Sequence, residues 1–260
     1  MKSIKERALN REILAGTFLN LGSSLTAEIA GLAGFDWILI DMEHGAGNRT
    51  ELLMQLQALE SSPSVPLVRI AWNDPIIVKQ VLDLGAAGIM VPYVQNAEEA
   101  RRAAASMRYP PSGNRSVAVM NRACGFGPGF NEYFQTAGSR LLTILQIESP
   151  LAVDNIDEIA GVDGADVLFV GPMDLSVGLG LPQQWEHPRM RNAIEKVVNA
   201  CQKAGKTSGT IVSNEVELKR AIADGFTMLA FSSDGAVVAK GMREIATTYE
   251  KYKKVRCSEG

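Results

Sequence analysis

The sequence predicts a single (β/α)8 barrel spanning residues 1–260, and three observations carry that expectation. Short apolar runs rich in β-branched residues alternate with longer stretches of helical period. Those runs show little polar alternation, as expected of parallel strands buried on both faces. The alternation continues through the whole chain with no repeat, linker or low-complexity tract, and eight such units in about 250 residues is the size of this barrel. An open, doubly wound sheet is the structural alternative. It calls for a glycine-rich turn after the first strand, and Leu21-Gly22-Ser23-Ser24 matches that poorly.

In chain order, strands are expected at 14–19 (LAGTFL), 36–42 (DWILIDM), 65–71 (VPLVRIA), 87–94 (AGIMVPYV), 141–148 (LLTILQIE), 165–171 (ADVLFVG), 207–213 (TSGTIVS) and 226–232 (FTMLAFS). Helical stretches follow at 24–33, 49–61, 74–84, 96–107, 149–160, 188–204, 214–224 and 235–253. Local punctuation supports them. Asn73-Asp74-Pro75 sets a capping residue before a proline suited to a first helical turn. Asn96 and Asn214 each precede a glutamate-bearing helix start. Gly34, Gly85, Gly161, Gly205 and Gly225 stand where a left-handed residue would close a helix. Residues 108–135 (RYPPSGNRSVAVMNRACGFGPGFNEYFQ) break the rhythm as a long insertion of the kind that is usually functional or covers something. Its GFGPG lacks the GK[ST] of a phosphate loop.

Composition narrows the partners. Hydrophobic residues make up 46% and charged residues 21%, enough for a sizeable core. A net charge of −3 argues against nucleic acid or an acidic membrane surface as partner. Cys124, Cys201 and Cys257 are widely spaced, which suits free thiols in a reducing cytoplasm rather than disulfides or zinc. The charged N-terminus has no apolar leader, and no run is long enough to span a bilayer.

In a barrel of this type the chemistry gathers at the strand C-termini. Asp41, Glu43 and His44 follow the second strand; Arg69 closes the third. Gln146 and Glu148 end the fifth with the same parity, and Gly171-Pro172-Met173-Asp174 follows the sixth. Glu148 could instead cap the next helix, Asp174 could be a turn residue, and Arg69 could pair with a structural acid. Taken together, two carboxylates from adjacent strand ends are the hard oxygen donors a divalent cation needs, and Arg69 is a fork for a carboxylate or an enolate oxygen. His187, in Glu-His-Pro, reads as an exposed helix start, and Asp83, late on a helix, as a solvated position. No lysine sits at the C-terminal end of an expected strand, so a Schiff-base enolate has no candidate amine.

GFDWILIDMEHG, VRIAWNDP with KQVLDLG, RYPPSGNRSV, and LQIES with VLFVGPMDLS resemble the HpcH/HpaI family of class II pyruvate-dependent aldolases. That family includes 4-hydroxy-2-oxoheptanedioate aldolase and 2-dehydro-3-deoxyglucarate aldolase. The resemblance runs from about residue 12 to 250, and it is the joint occurrence of the blocks in this order that is specific. It implies a lyase that cleaves a 4-hydroxy-2-oxo acid to pyruvate and an aldehyde with Mg2+, Mn2+ or Co2+ as cofactor. His44 matches the proton acceptor, Asp83 the acid that raises its basicity, and Arg69 the transition-state stabiliser. Glu148 and Asp174 match the metal ligands, and Gln146, Met173 and Asp174 match positions that touch substrate. Met173 departs from the Ala or Ser common there, and Arg115-Ser116 from a common Arg-Gly. The resemblance also implies a homo-hexamer that exchanges its last helix. A decarboxylase or coenzyme A ester lyase built on the same site, or a barrel that only binds a 2-oxo acid, are the alternative readings.

Overall fold

The computed structural model describes residues 3–258, with side chains through residue 253. The chain begins with α1 (Ile4–Leu9), then β1 (Leu14–Leu19), α2 (Ser24–Leu32), β2 (Trp37–Asp41), α3 (Arg49–Ala58), β3 (Val65–Arg69), α4 (Pro75–Asp83), β4 (Gly88–Val91) and α5 (Ala97–Ser106). A 3-10 turn (Arg122–Cys124) and α6 (Phe130–Arg140) lead to β5 (Leu142–Ile147), α7 (Pro150–Asp154), α8 (Ile156–Ala160) and β6 (Val167–Val170). Then come α9 (Pro172–Gly178), α10 (Pro188–Ala204), β7 (Thr207–Val212), α11 (Glu215–Asp224), β8 (Met228–Ser233) and α12 (Asp234–Ser258). The strands pair in parallel in sequence order and close β8 onto β1, which is the expected barrel.

Strand parity divides the core into two shells. Inside the barrel lie Leu14, Phe18, Trp37, Leu39, Leu67, Met90, Leu142, Ile144, Val167, Phe169, Met228 and Ala230. The alternate residues, such as Ile38, Ile40, Val68, Ile89 and Leu145, pack outward against the helices. Interior filling pairs large with small. Trp37 is fully buried because Gly16 leaves it room: a Cβ on Gly16 would lie 2.1 Å from the indole ring. α1 plugs the barrel from the strand N-terminal side, with Ile4 and Ala8 joining the interior cluster and the Ala8 carbonyl accepting from Thr207 Oγ1 at 2.5 Å.

Most capping expectations hold. Asp74 caps α4 with Pro75 in the first turn, and Asn96 and Asn214 cap α5 and α11. Gly34, Gly85, Gly205 and Gly225 adopt positive φ. Gly161 does not, at φ −70°; the left-handed residue before β6 is Gly164 at φ 89°. The helix expected over 149–160 is two, divided at Asn155, whose backbone leaves helical geometry at φ −96° and ψ 13° while its side-chain amide donates to the Gln95 carbonyl at 2.9 Å. The insertion at 108–135 is not all loop, since the 3-10 turn and the start of α6 fall within it. Cys124 and Cys201 are free and buried, and the Cys257 side chain lies outside the described residues. Among the described residues no helix is long and apolar enough to cross a membrane. From Ala236 to Lys253 nearly every residue of α12 is exposed.

Candidate active site at the strand C-termini

The inner parity that fills the barrel with apolar side chains changes character at its C-terminal rim. Asp41 continues the Trp37–Leu39 series, Arg69 the Val65–Leu67 series and Gln146 the Leu142–Ile144 series, so the three point inward one layer above the core. Asp41 and Arg69 are register partners on neighbouring strands.

Arg69 is the hub. Its Nε and Nη2 donate to Asp41 Oδ1 and Oδ2 at 2.9 and 2.7 Å, a bidentate fork. Nη1 lies 3.1 Å from Glu43 Oε2 and 3.5 Å from Gln146 Oε1, and the guanidinium sits 5.2 Å over the Phe18 ring. Burial alone would raise the Asp41 carboxyl, but the hydrogen bonds and charge of Arg69 outweigh it and hold Asp41 below the usual carboxylate range. Asp41 Oδ1 also accepts the backbone N–H groups of Glu43 and His44, at 3.1 and 3.3 Å. One carboxylate therefore orients both the arginine and the turn that carries the histidine. Sequence reasoning noted Asp41 and Glu43 without giving them a role. The signal was available, because Asp41 and Arg69 close adjacent strands with the same parity.

Glu148 is gripped on both oxygens. Tyr93 N–H donates to Oε1 at 2.8 Å, and Gln146 Nε2 donates to Oε2 at 2.8 Å. Gly171 leaves room for this carboxylate: a Cβ there would lie 2.6 Å from Oε2. Glu148 does not cap the following helix; Ser149 does, accepting from Ala152 N–H at 3.1 Å. Burial pushes Glu148 up to about 7; the Tyr93 hydrogen bond opposes this, and the charges of Glu43 and Asp174 add to it. Glu43 is likewise raised, first by burial, and Asp41 and Asp174 push it the same way.

Asp174 lies in the first turn of α9, near enough for its charge to act on Glu43 and Glu148. Met173 precedes it and is half-exposed. His44 is 73% exposed, with Nε2 3.9 Å from Glu43 Oε2. The strand ends thus bring together Arg69, Gln146, Glu148 and Asp174, with His44 on the turn beside them. Asp83 is not among them. It ends α4, at the strand N-terminal side, where Arg115 Nη2 meets Asp83 Oδ1 at 2.7 Å and Asp83 lines a groove of about 1330 Å3 with Tyr133 and Arg122. His187 is half-buried rather than exposed, because its Nδ1 caps α10 by accepting from Arg189 N–H at 3.2 Å.

Among the described residues no cluster of three or more His, Cys, Asp or Glu side chains forms a ready-made metal cage. The donor set suits a cation that needs fewer. Two carboxylates plus water and substrate oxygens are enough for Mg2+ or Mn2+. Burial raises Glu148 first, repulsion from Glu43 and Asp174 adds to it, and a divalent charge would relieve both. Lys5 and Lys206 lie on the strand N-terminal side, and Lys79, Lys196, Lys203, Lys219, Lys240, Lys251 and Lys253 on helices, so no described lysine stands at a strand C-terminus.

Comparison with known proteins agrees with this fold. The family model described as HpcH/HpaI aldolase/citrate lyase matches residues 14–241. The 5-keto-4-deoxy-D-glucarate aldolase of Salmonella arizonae is 39% identical over 241 residues, covering 93% of this chain and 94% of that one. A solved structure of an HpcH/HpaI aldolase/citrate lyase family protein from Burkholderia cenocepacia J2315 matches with a TM-score of 0.89 at 34% identity, covering 95% of this chain and 98% of that one. The HpcH/HpaI aldolase structure from Desulfitobacterium hafniense DCB-2 also gives 0.89, at 31% identity over 96% of this chain and 97% of that one. A barrel that follows these relatives over nearly its whole length is an aldolase-type carbon–carbon lyase, and the chain belongs to the HpcH/HpaI aldolase/citrate lyase family.

Proposed function

We propose that this enzyme reversibly cleaves a 4-hydroxy-2-oxo acid of diacid or sugar-acid type to pyruvate and an aldehyde. The observation that carries the reading is the surplus of carboxylate around Arg69, with Glu148 and Asp174 lacking a basic partner of their own and no described lysine beside them. Glu148 and Asp174 would hold a divalent cation (Mg2+, Mn2+ or Co2+), which when bound supplies a Lewis acid for the 2-oxo oxygen. Arg69 has two of its donors committed to Asp41, and this pins the fork so that Nη1 stands fixed toward the site, where its N–H groups would stabilise the C2 oxygen as it gains charge. His44 takes the proton of the C4 hydroxyl. The C3–C4 bond breaks, its electron pair passes to the pyruvate enolate, and the aldehyde leaves. Gln146, Met173 and Asp174 would contact the pyruvate portion. The 39% identity to an enzyme named for 5-keto-4-deoxy-D-glucarate supports a hydroxylated diacid as substrate.

Asp83 takes part in this scheme only across a subunit boundary, because within one chain it stands at the opposite end of the barrel from His44. Assembly is also supported by α12, where Val238, Met242, Ile245, Tyr249 and Tyr252 make an exposed apolar stripe, and by α2, which exposes Leu25, Ile29 and Leu32. A homo-oligomer, hexameric by the family's pattern, would cover both. Mixing His44→Ala with Asp83→Asn protein then restores activity above the mean of the two.

The deciding experiment is deuterium exchange into the pyruvate methyl, which needs no aldehyde. Exchange should require Mg2+, Mn2+ or Co2+ and stop with a chelator, and borohydride with pyruvate should trap nothing. Chelator-resistant exchange with a trapped lysine would overturn the proposal. Cleavage of a coenzyme A ester without aldol cleavage would replace it with the related lyase reading.

A further inference from the structure

The chain leaves β4 through a left-handed residue that is not glycine. Tyr93 has φ 54°, a region where an L-residue's Cβ crowds its own backbone and which favours Gly, Asn and Asp. Such a backbone is unfavourable for a tyrosine, so the surroundings must enforce it. Val91 and Val94 are buried on either side. Val94 N–H donates to the Gln146 carbonyl at 3.3 Å, tying the turn to β5. The Tyr93 ring stacks on Trp72, with centroids 6.4 Å apart and planes at 28°, and Trp72 comes from the loop just beyond Arg69.

The product of this strain is one hydrogen bond, the Tyr93 N–H on Glu148 Oε1. An extended backbone at residue 93 would turn that N–H away. Glu148 Oε1 would then lose its donor while Oε2 kept Gln146, and the carboxylate would be free to swing. Partners of this kind, one shell out from a metal, fix ligand orientation, and losing one typically weakens affinity about 10- to 100-fold.

The geometry points to Tyr93 as a positioning residue: its left-handed backbone, braced by the Trp72 ring, aims the amide that sets Glu148 for a divalent cation. The inference rests on the reading of Glu148 as a ligand. Position 93 acts through its backbone, and its ring serves the brace.

The test is Mn2+ affinity by calorimetry on the full-length protein without substrate. Tyr93→Val, whose β-branched side chain disfavours the left-handed region, should bind Mn2+ about 10-fold more weakly. Tyr93→Asn, which tolerates that region and keeps the amide, should bind as wild type does. Trp72→Ala should weaken binding, and adding Tyr93→Gly to it should restore affinity, a rescue that stands even where the Val variant fails to fold. Wild-type affinity in a folded Tyr93→Val, equal losses in Val and Asn, or no rescue in the double variant each overturns the assignment. Glu148→Gln separates the two levels: unchanged Mn2+ affinity there means that the ligand reading itself has failed.

Discussion

The two ends of the barrel use the same chemical groups to opposite effect. At the strand N-termini charges are closed into pairs. Lys5 Nζ lies 3.0 Å from Asp166 Oδ2, and Arg7 binds Glu12 and Asp36 at 2.9 and 2.7 Å. At the strand C-termini Arg69 stands among Asp41, Glu43 and Glu148, with Asp174 beside them, and burial and mutual repulsion raise two of these carboxylates. Paired charges fasten α1 under the barrel. On the other rim the carboxylates outnumber the basic groups beside them, and perturbed carboxylates of this kind gather where chemistry occurs.

Substitutions that exchange these two behaviours test the contrast. Arg69→Ala should lower kcat about 1000-fold, the upper range for removing a dominant electrostatic contact. Lys5→Ala at the opposite end should leave kcat unchanged. It strands the buried Asp166, so stability should fall by about 3 kcal/mol, read as a melting temperature lower by roughly 6–12 °C. A fall in kcat without a fall in melting temperature would erase the distinction between the ends. His44→Ala should slow turnover about 100-fold while Mn2+ affinity holds, because the assigned role is proton transfer and not ligation.

The smallest effect is one of pH. The unfolded chain gives up the Glu148 proton near 4.5 and the folded protein near 7, so between those values the folded state holds more protons and stability falls as pH rises. In chelator-treated protein, wild type should lose a few degrees of melting temperature across that window relative to Glu148→Gln. Parallel melting curves in the two would mean that folding does not raise the Glu148 carboxyl.

The barrel was legible because most strands are buried on both faces, which writes largely apolar runs such as WILID or LTILQI into the sequence. Helix starts were legible through Asp74, Asn96 and Asn214, whose side chains make the capping bonds themselves. α6 was not, since Ala137 is its one buried residue and a glycine-rich stretch precedes it. α1 was hidden by its charges: only Ile4 and Ala8 face the barrel, too few for a periodic signal. At the site, the strand end marked Arg69, and shared parity paired Gln146 with Glu148. Nothing in the residue type of Tyr93 announces a positive φ, so its grip on Glu148 could be found only in three dimensions. The place of Asp83 followed from topology, because the C-terminus of a helix in this barrel lies below the strands; motif matching alone set it beside His44.

The way Gly16 makes room for Trp37 has an optical consequence. Three tryptophans mark three depths: Trp37 is sealed in the barrel floor over the α1 plug, Trp72 is 57% exposed at the mouth, and Trp185 is half-buried on the flank. An aqueous quencher reaches Trp72 and is shut out from Trp37. Occupation of the mouth therefore registers in the quenchable, red-shifted part of the emission, and loosening of α1 in the blue, protected part. The native chain carries its own pair of fluorescent labels, one for each end of the barrel.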